Sequence, residues 1–147
     1  MSAHLLSSEQ KAFVKHWSGL DSAKPGVYGD RSMPARRSGR TEAVLQLCSD
    51  MLSRNPEMTI VFYTQRLDAP DRFHKAFPSQ YSNHPGDGRN VHVMVAPEMT
   101  DDNNDRLVYS KKADVTIIHN MPARPCPDGG RVLYVGRREI KVDDELV

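Results

Sequence analysis

Four short runs, "TIVFY" (59–63), "VHVMV" (91–95), "VTII" (115–118) and "VLYV" (132–135), place apolar residues on both alternating faces of an extended chain. A strand with one wet face alternates apolar with polar, and these do not, so each needs cover above and below. The stretches between them carry apolar residues at helical spacing. Strands separated by helices cannot pair as hairpins, so the pattern predicts a mainly parallel central sheet in a three-layer α/β domain.

The N-terminal stretch "SSEQKAFVKHWSGL" begins with Ser7 or Ser8 as a helix cap and brings Leu6, Phe13, Trp17 and Leu20 to one face, which predicts an amphipathic helix over 7–20 ended by Gly19. Residues 21–40 are rich in Gly, Pro and Arg and read as a loop with a short strand around 26–33. "TEAVLQLCSDMLSRN" spaces Val44, Leu47, Cys48, Met51 and Leu52 as a helix that Pro56 stops after Asn55. "APDRFHKAF" has Pro70 at a helix start and Phe73 and Phe77 four residues apart, and "QYSNHPGDGRN" is loop by composition. "DDNNDRLVYSKKA" reads as part loop, part short helix, and residues 139–147 as a surface tail or docking segment of mixed charge. At 147 residues, with 38% hydrophobic, the whole chain suits one compact domain.

The formal charge of +1, from 20 Lys and Arg against 19 Asp and Glu, gives no global field toward nucleic acid or anionic membrane. Any such binding is local. Cys48 and Cys126 lack metal-ligand spacing and the density of a disulfide scaffold, which predicts reduced thiols in an intracellular, soluble protein. The apolar runs are too short to cross a bilayer, and the N-terminus has no secretion-signal core. His4, His16, His74, His84, His92 and His119 show no H-x-x-x-H spacing, so no metal site is predicted, and Cys126 in "PARPCPDGG" forms no nucleophile pair with His119.

The chemistry concentrates at "PARRSGRTEAVLQL" (34–47). Loops of the form G-x-x-x-x-G-K-[ST] hold phosphates with backbone N–H groups and a helix N-terminus, reach outer phosphates with the lysine and hold magnesium with the hydroxyl. Gly39 and Thr41 occupy the second glycine and the hydroxyl positions, Pro34 replaces the first glycine, and Arg40 replaces the lysine. The simpler reading is a basic, solvated loop whose helix is capped by Thr41. Arg31, Arg36, Arg37 and Arg40, diluted by Asp30 and Glu42, form a cluster able to grip a phosphate backbone, against the alternative of solvated charge.

The order of segments from "RRSGRTEAVLQL" through "MTIVFYTQ", "KADVTIIHNMPA" and "GGRVLYVGRR" resembles the ATPase core of viral large terminases and related helicase-like ATPases over residues 34–138. In that family a strand of four apolar residues ends in Asp-Glu, and the next strand ends in a small-residue coupling motif. The resemblance puts His119 at the magnesium-holding aspartate and Asn120 at the glutamate that activates water. Imidazole is a poor magnesium ligand and asparagine cannot accept the proton of water. Arg40, a planar fork, fits a lysine's slot poorly. What the resemblance implies is therefore a P-loop-like domain with hydrolysis lost and no catalytic residues, its anion-binding set being Arg36, Arg37, Ser38, Gly39, Arg40 and Thr41, with degenerate positions at His119 and Asn120.

Its expected role is a structural or assembly protein of viral, virion-associated type. Protein partners are expected, DNA is a compatible one, and there is no membrane; no cofactor is expected, although ATP and Mg bound without turnover are compatible. The oligomeric state is left open. Two alternatives stand beside it: a working DNA-packaging or helicase-type ATPase, with Arg137 and Arg138 as candidate arginine fingers, and a regulatory module binding nucleotide or nucleic acid without cleavage.

Overall fold

A computed structural model describes residues 6–30, 39–82, 88–95, 113–119 and 130–136. The elements in chain order are α1 (Ser8–Trp17), a 3-10 turn (Leu20–Ser22), β1 (Gly26–Asp30), α2 (Arg40–Arg54), β2 (Ile60–Thr64), α3 (Ala69–Ala76), β3 (Tyr81–Ser82), β4 (Val91–Val95), β5 (Val115–His119) and β6 (Arg131–Val135). The six strands form one sheet in the order β1-β6-β5-β2-β4-β3, and every pairing is parallel. The expected α/β fold with a mainly parallel sheet is the one observed.

Local chemistry accounts for the ends of the helices. Ser7 caps α1 in a reciprocal box: Gln10 N–H donates to Ser7 Oγ at 3.2 Å, and Ser7 N–H donates to Gln10 Oε1 at 2.6 Å. The helix stops at Trp17, three residues short of the predicted 7–20 span, because the chain tightens into the 3-10 turn, and Leu20 reaches the core from that turn. Asn55 closes α2 by donating its N–H to Met51 O, with Pro56 directly after, and Pro70 lies in the first turn of α3. Two expectations need correction by extent. The strand expected around 26–33 is described over Gly26–Asp30, and the segment read wholly as loop from Gln80 contributes the two-residue edge strand β3, whose pairing with β4 its polar composition conceals. The segment 101–112 and the tail 139–147 lie outside the described residues.

The crossovers β1-α2-β2 and β2-α3-β3 step in the same direction along the sheet, and right-handed connections of that kind put both helices on one face. The packing agrees. Phe13, Trp17, Leu47, Met51 and Phe73 from the helices join Ile60, Phe62, Val115, Ile117, Leu133 and Val135 from alternate strand positions in one cluster. The opposite face carries Val61, Tyr63, Ile118, Val132 and Tyr134 in a second cluster. Burial on both faces is what the unalternating runs require: Ile60, Phe62, Ile117, Ile118 and Leu133 are 0% exposed and Val135 is 1%. Among the described residues, no helix is long and apolar enough to cross a membrane.

Candidate functional site at the carboxyl rim of the sheet

In a parallel sheet every strand ends on the same rim. Register aligns Asp30 with Val135, Val135 with His119, and Thr64 with Val95, while the pairing of Tyr63 with Ile118 brings Thr64 beside His119. The last residues of five strands thus form one row, Asp30, Val135, His119, Thr64 and Val95. Each lies two residues beyond a member of the helix-side cluster (Tyr28, Leu133, Ile117, Phe62 and Val93), so the row faces the side that α2 covers. β2 leads toward β3 on one side and β5 leads toward β6 on the other, making the β5–β2 boundary a point where the direction of winding reverses. In open α/β sheets ligands bind in the crevice outside such a boundary.

His119 and Thr64 meet there. Thr64 Oγ1 lies 3.1 Å from His119 Nδ1 and also accepts the Arg66 N–H at 3.1 Å. With the Thr64 hydroxyl donating to Nδ1, the ring proton sits on Nε2. Phe62 stacks on the imidazole with centroids 6.0 Å apart. Burial first, then the positive charges of Arg40 and Arg66, push the His119 pKa down to about 4, so the ring is neutral at pH 7. Arg66 itself is clamped by Asp68 through two bonds, Nε to Oδ1 at 2.9 Å and Nη2 to Oδ2 at 2.8 Å.

The N-terminus of α2 enters the same rim because α2 follows β1. Gly39 is its N-cap at φ 77°, a left-handed conformation that favours glycine, and having no side chain it gives the first N–H groups no side-chain cap. Gln10 Nε2 donates to Gly39 O at 3.0 Å, tying the start of α1 to the start of α2. Thr41 does not cap the helix as expected. It lies in the first turn, on the buried stripe with Val44 and Cys48, 2% exposed, and its Oγ1 has no hydrogen-bond partner among the described residues. Such an atom is rare and costs about 1–3 kcal/mol when left dry.

Arg40 folds back onto the end of β6. A Cβ placed on Gly136, whose φ is 92°, would lie 2.4 Å from Arg40 Nη1, so the guanidinium occupies the space that the absent side chain vacates. Burial lowers the Arg40 pKa, and the Asp30 carboxylate opposes that lowering. Asp30 is fixed from behind by the Trp17 indole, which donates to Oδ2 at 2.6 Å in a buried bond. Gly136 N–H donates to Asp30 O at 3.1 Å, drawing β1 and β6 together beneath Arg40.

The structure therefore brings Gly39, Arg40, Thr41 and His119 to one rim. Arg36, Arg37, Ser38 and Asn120 lie outside the described residues, as does Cys126. Sequence reasoning missed Thr64, Asp30 and Gly136. A signal for Thr64 existed: it is the polar end of "IVFYT", in phase with Ile60 and Phe62. A concavity of about 460 Å³ opens at the opposite rim, lined by Asp21, Asn55, Glu57, Met58, Asp114 and Arg131. Its polar groups are mostly engaged in holding strand starts: Asp21 accepts from Arg54 and Asn55, Asp114 from Thr59 N–H, and Arg131 Nε donates to Ala23 O. It lies at the wrong end of the sheet for a helix N-terminus or strand-end chemistry.

Gly39→Ala is expected to destabilise the fold by about 1–2 kcal/mol, because a left-handed φ is strained for any side chain. The new Cβ would also meet Gln10 Nε2 at 1.9 Å. Denaturant unfolding of Gly39→Ala, Gln10→Ala and the double variant measures the second effect as a coupling energy. Strict additivity would show that the two helix starts do not touch.

No protein-family model and no curated protein matches the sequence.

Proposed function

We propose that the chain is a non-hydrolysing P-loop-like domain, a structural or assembly component of the kind found with viral DNA-handling machinery, that keeps an anion-attracting rim. The observation that carries this reading is the neutral imidazole at the end of β5. Where the resembling ATPases place a carboxylate for magnesium, His119 is bonded to Thr64 and lies in the positive field of Arg40 and Arg66. A divalent cation does not fit there: its ligand would be a nitrogen with two guanidinium charges opposing the ion. Thr41 Oγ1 and a helix start whose N-cap is glycine, in contrast, suit phosphate oxygens. The rim can attract an anion, and among the described residues β5 ends in an imidazole where the resembling ATPases have a carboxylate.

ATPase activity is expected to stay at background with and without Mg²⁺. Steady-state phosphate release by the full chain is the measurement. A Mg²⁺-dependent rate that disappears in Thr41→Ala would overturn the reading in favour of a working ATPase with divergent motifs.

A further inference from the structure

The misfit between this rim and a metal-dependent nucleotide site has its own chemistry. α2, 15 residues long, presents an N-terminus whose cap is glycine, so its first N–H groups point toward the rim without a capping side chain of their own. The independent observation is Thr41: a hydroxyl in that first turn, on a residue 2% exposed, with no partner for Oγ1 among the described residues. A buried hydroxyl with no partner among the described residues is satisfied once an acceptor oxygen reaches it. His119 adds a further donor. Its Nδ1 is taken by Thr64, its ring is held by Phe62, and Nε2 has no partner among the described residues.

At His119 itself the neighbouring charges are positive, from Arg40 and Arg66. Carboxylates accompany them further out: Asp30 in the row receives the Trp17 indole N–H and faces Arg40, Asp68 clamps Arg66, and Glu42 in the first turn of α2 pairs with Arg72. In a magnesium-dependent site the negative phosphate and negative protein carboxylate are reconciled by the cation between them. Here the carboxylate is gone from β5, and a neutral N–H donor together with a fixed guanidinium stands in its place. At the end of β5 the guanidinium groups of Arg40 and Arg66 are the charges nearest the imidazole, where a metal site would have a carboxylate.

Resting on the proposed reading of the rim as an anion site, we infer that it binds a phosphate-type oxyanion directly, without a divalent cation, with Thr41 Oγ1 and His119 Nε2 as donors beside the start of α2. The ligand class is a di- or polyphosphate, either free or as the tail of a nucleotide. A metal-bound phosphate is a worse ligand than a bare one, because the cation would face Arg40 and the imidazole N–H.

The test uses the full chain and pyrophosphate, followed by calorimetric titration once in EDTA and once in excess Mg²⁺, with ATP and ADP as parallel arms to separate a free polyphosphate from a nucleotide. Binding is expected in EDTA and is expected to be weaker in Mg²⁺. His119→Gln, which keeps an N–H donor, should bind within about threefold of wild type, whereas His119→Phe and Thr41→Val should each weaken binding roughly tenfold or more, the loss of one hydrogen bond to a charged group. Circular dichroism checks that each variant is folded. His119→Asp should abolish binding in EDTA and restore part of it in Mg²⁺. Long-range ¹⁵N–¹H correlation should show the His119 proton on Nε2 before ligand is added. Binding that requires Mg²⁺, no binding of any of the three ligands, unchanged affinity in His119→Phe and Thr41→Val, or a ring proton on Nδ1 would each overturn the inference. Absence of both turnover and binding would remove it while leaving the non-hydrolysing reading in place; Mg²⁺-dependent turnover would remove that reading as well.

Discussion

Ile117→Asp is expected to eliminate soluble, folded protein. Ile117 is the third residue of β5, 0% exposed, with β2 on one side and β6 on the other, paired to Phe62 and Leu133. Its side chain belongs to the cluster beneath α2 and α3, so a carboxylate there has neither water nor a donor. Desolvating it without compensation costs several kcal/mol, as does the lost apolar packing, against a total stability of about 5–15 kcal/mol for a domain of ordinary size. Expression in the soluble fraction and the denaturation midpoint of any protein recovered measure it. Lys11→Asp, on the exposed face of α1, is the control and should change stability by under about 0.5 kcal/mol. Recovery of Ile117→Asp with a near-native midpoint would mean that β5 is not a central buried strand.

The same residues explain why the fold was legible. "TIVFY" and "VTII" carry no polar side except threonines, and such runs survive only between two covering layers, so their burial follows from composition alone. The order of strands does not. That β1 pairs with β6, across more than a hundred residues of chain, and that β5 lies between β6 and β2, depends on nonlocal pairing that no window of sequence encodes. The edge strand β3 was missed because two residues inside a polar, Gly- and Pro-containing segment produce no period. At the site, Gly39, Arg40, Thr41 and His119 could be located because each occupies a fixed offset from a helix start or strand end. Their partners could not. The bond from Thr64 to His119 spans 55 positions and follows from register, and the seat of Arg40 on Gly136 depends on a missing Cβ at the end of β6, the neighbour of the strand that precedes the arginine's own helix. Thr41 illustrates the opposite error. A threonine next to a helix start is normally read as a cap, but the left-handed turn at Gly39 takes the cap position and moves the hydroxyl inside the first turn.

The neutral state of His119 carries the second large effect, a stability that is lost with acid. Its folded pKa is about 4, below the ordinary value of 6.5, because burial and the charges of Arg40 and Arg66 all penalise the imidazolium. Between those two values the unfolded chain binds the proton and the folded one does not. Stability from this group is therefore fully present above pH 6.5, falls as pH drops from 6.5 to 4, and levels off below 4, where both states are protonated. The difference in pKa corresponds to about 3 kcal/mol. Acid also titrates carboxylates, so the comparison is with His119→Gln, which keeps a polar side chain that cannot ionise. Wild type should lose about 3 kcal/mol more than His119→Gln between pH 7 and pH 4 in urea unfolding. Replacing Arg40 as well should shrink that excess, since one of the two charges opposing the imidazolium is removed, and direct NMR titration of the His119 ring should give the folded pKa independently. Parallel pH profiles for wild type and His119→Gln would mean that His119 titrates alike in both states. The rim would then be solvated and open, and the fixed N–H donor that distinguishes it from a metal site would not exist.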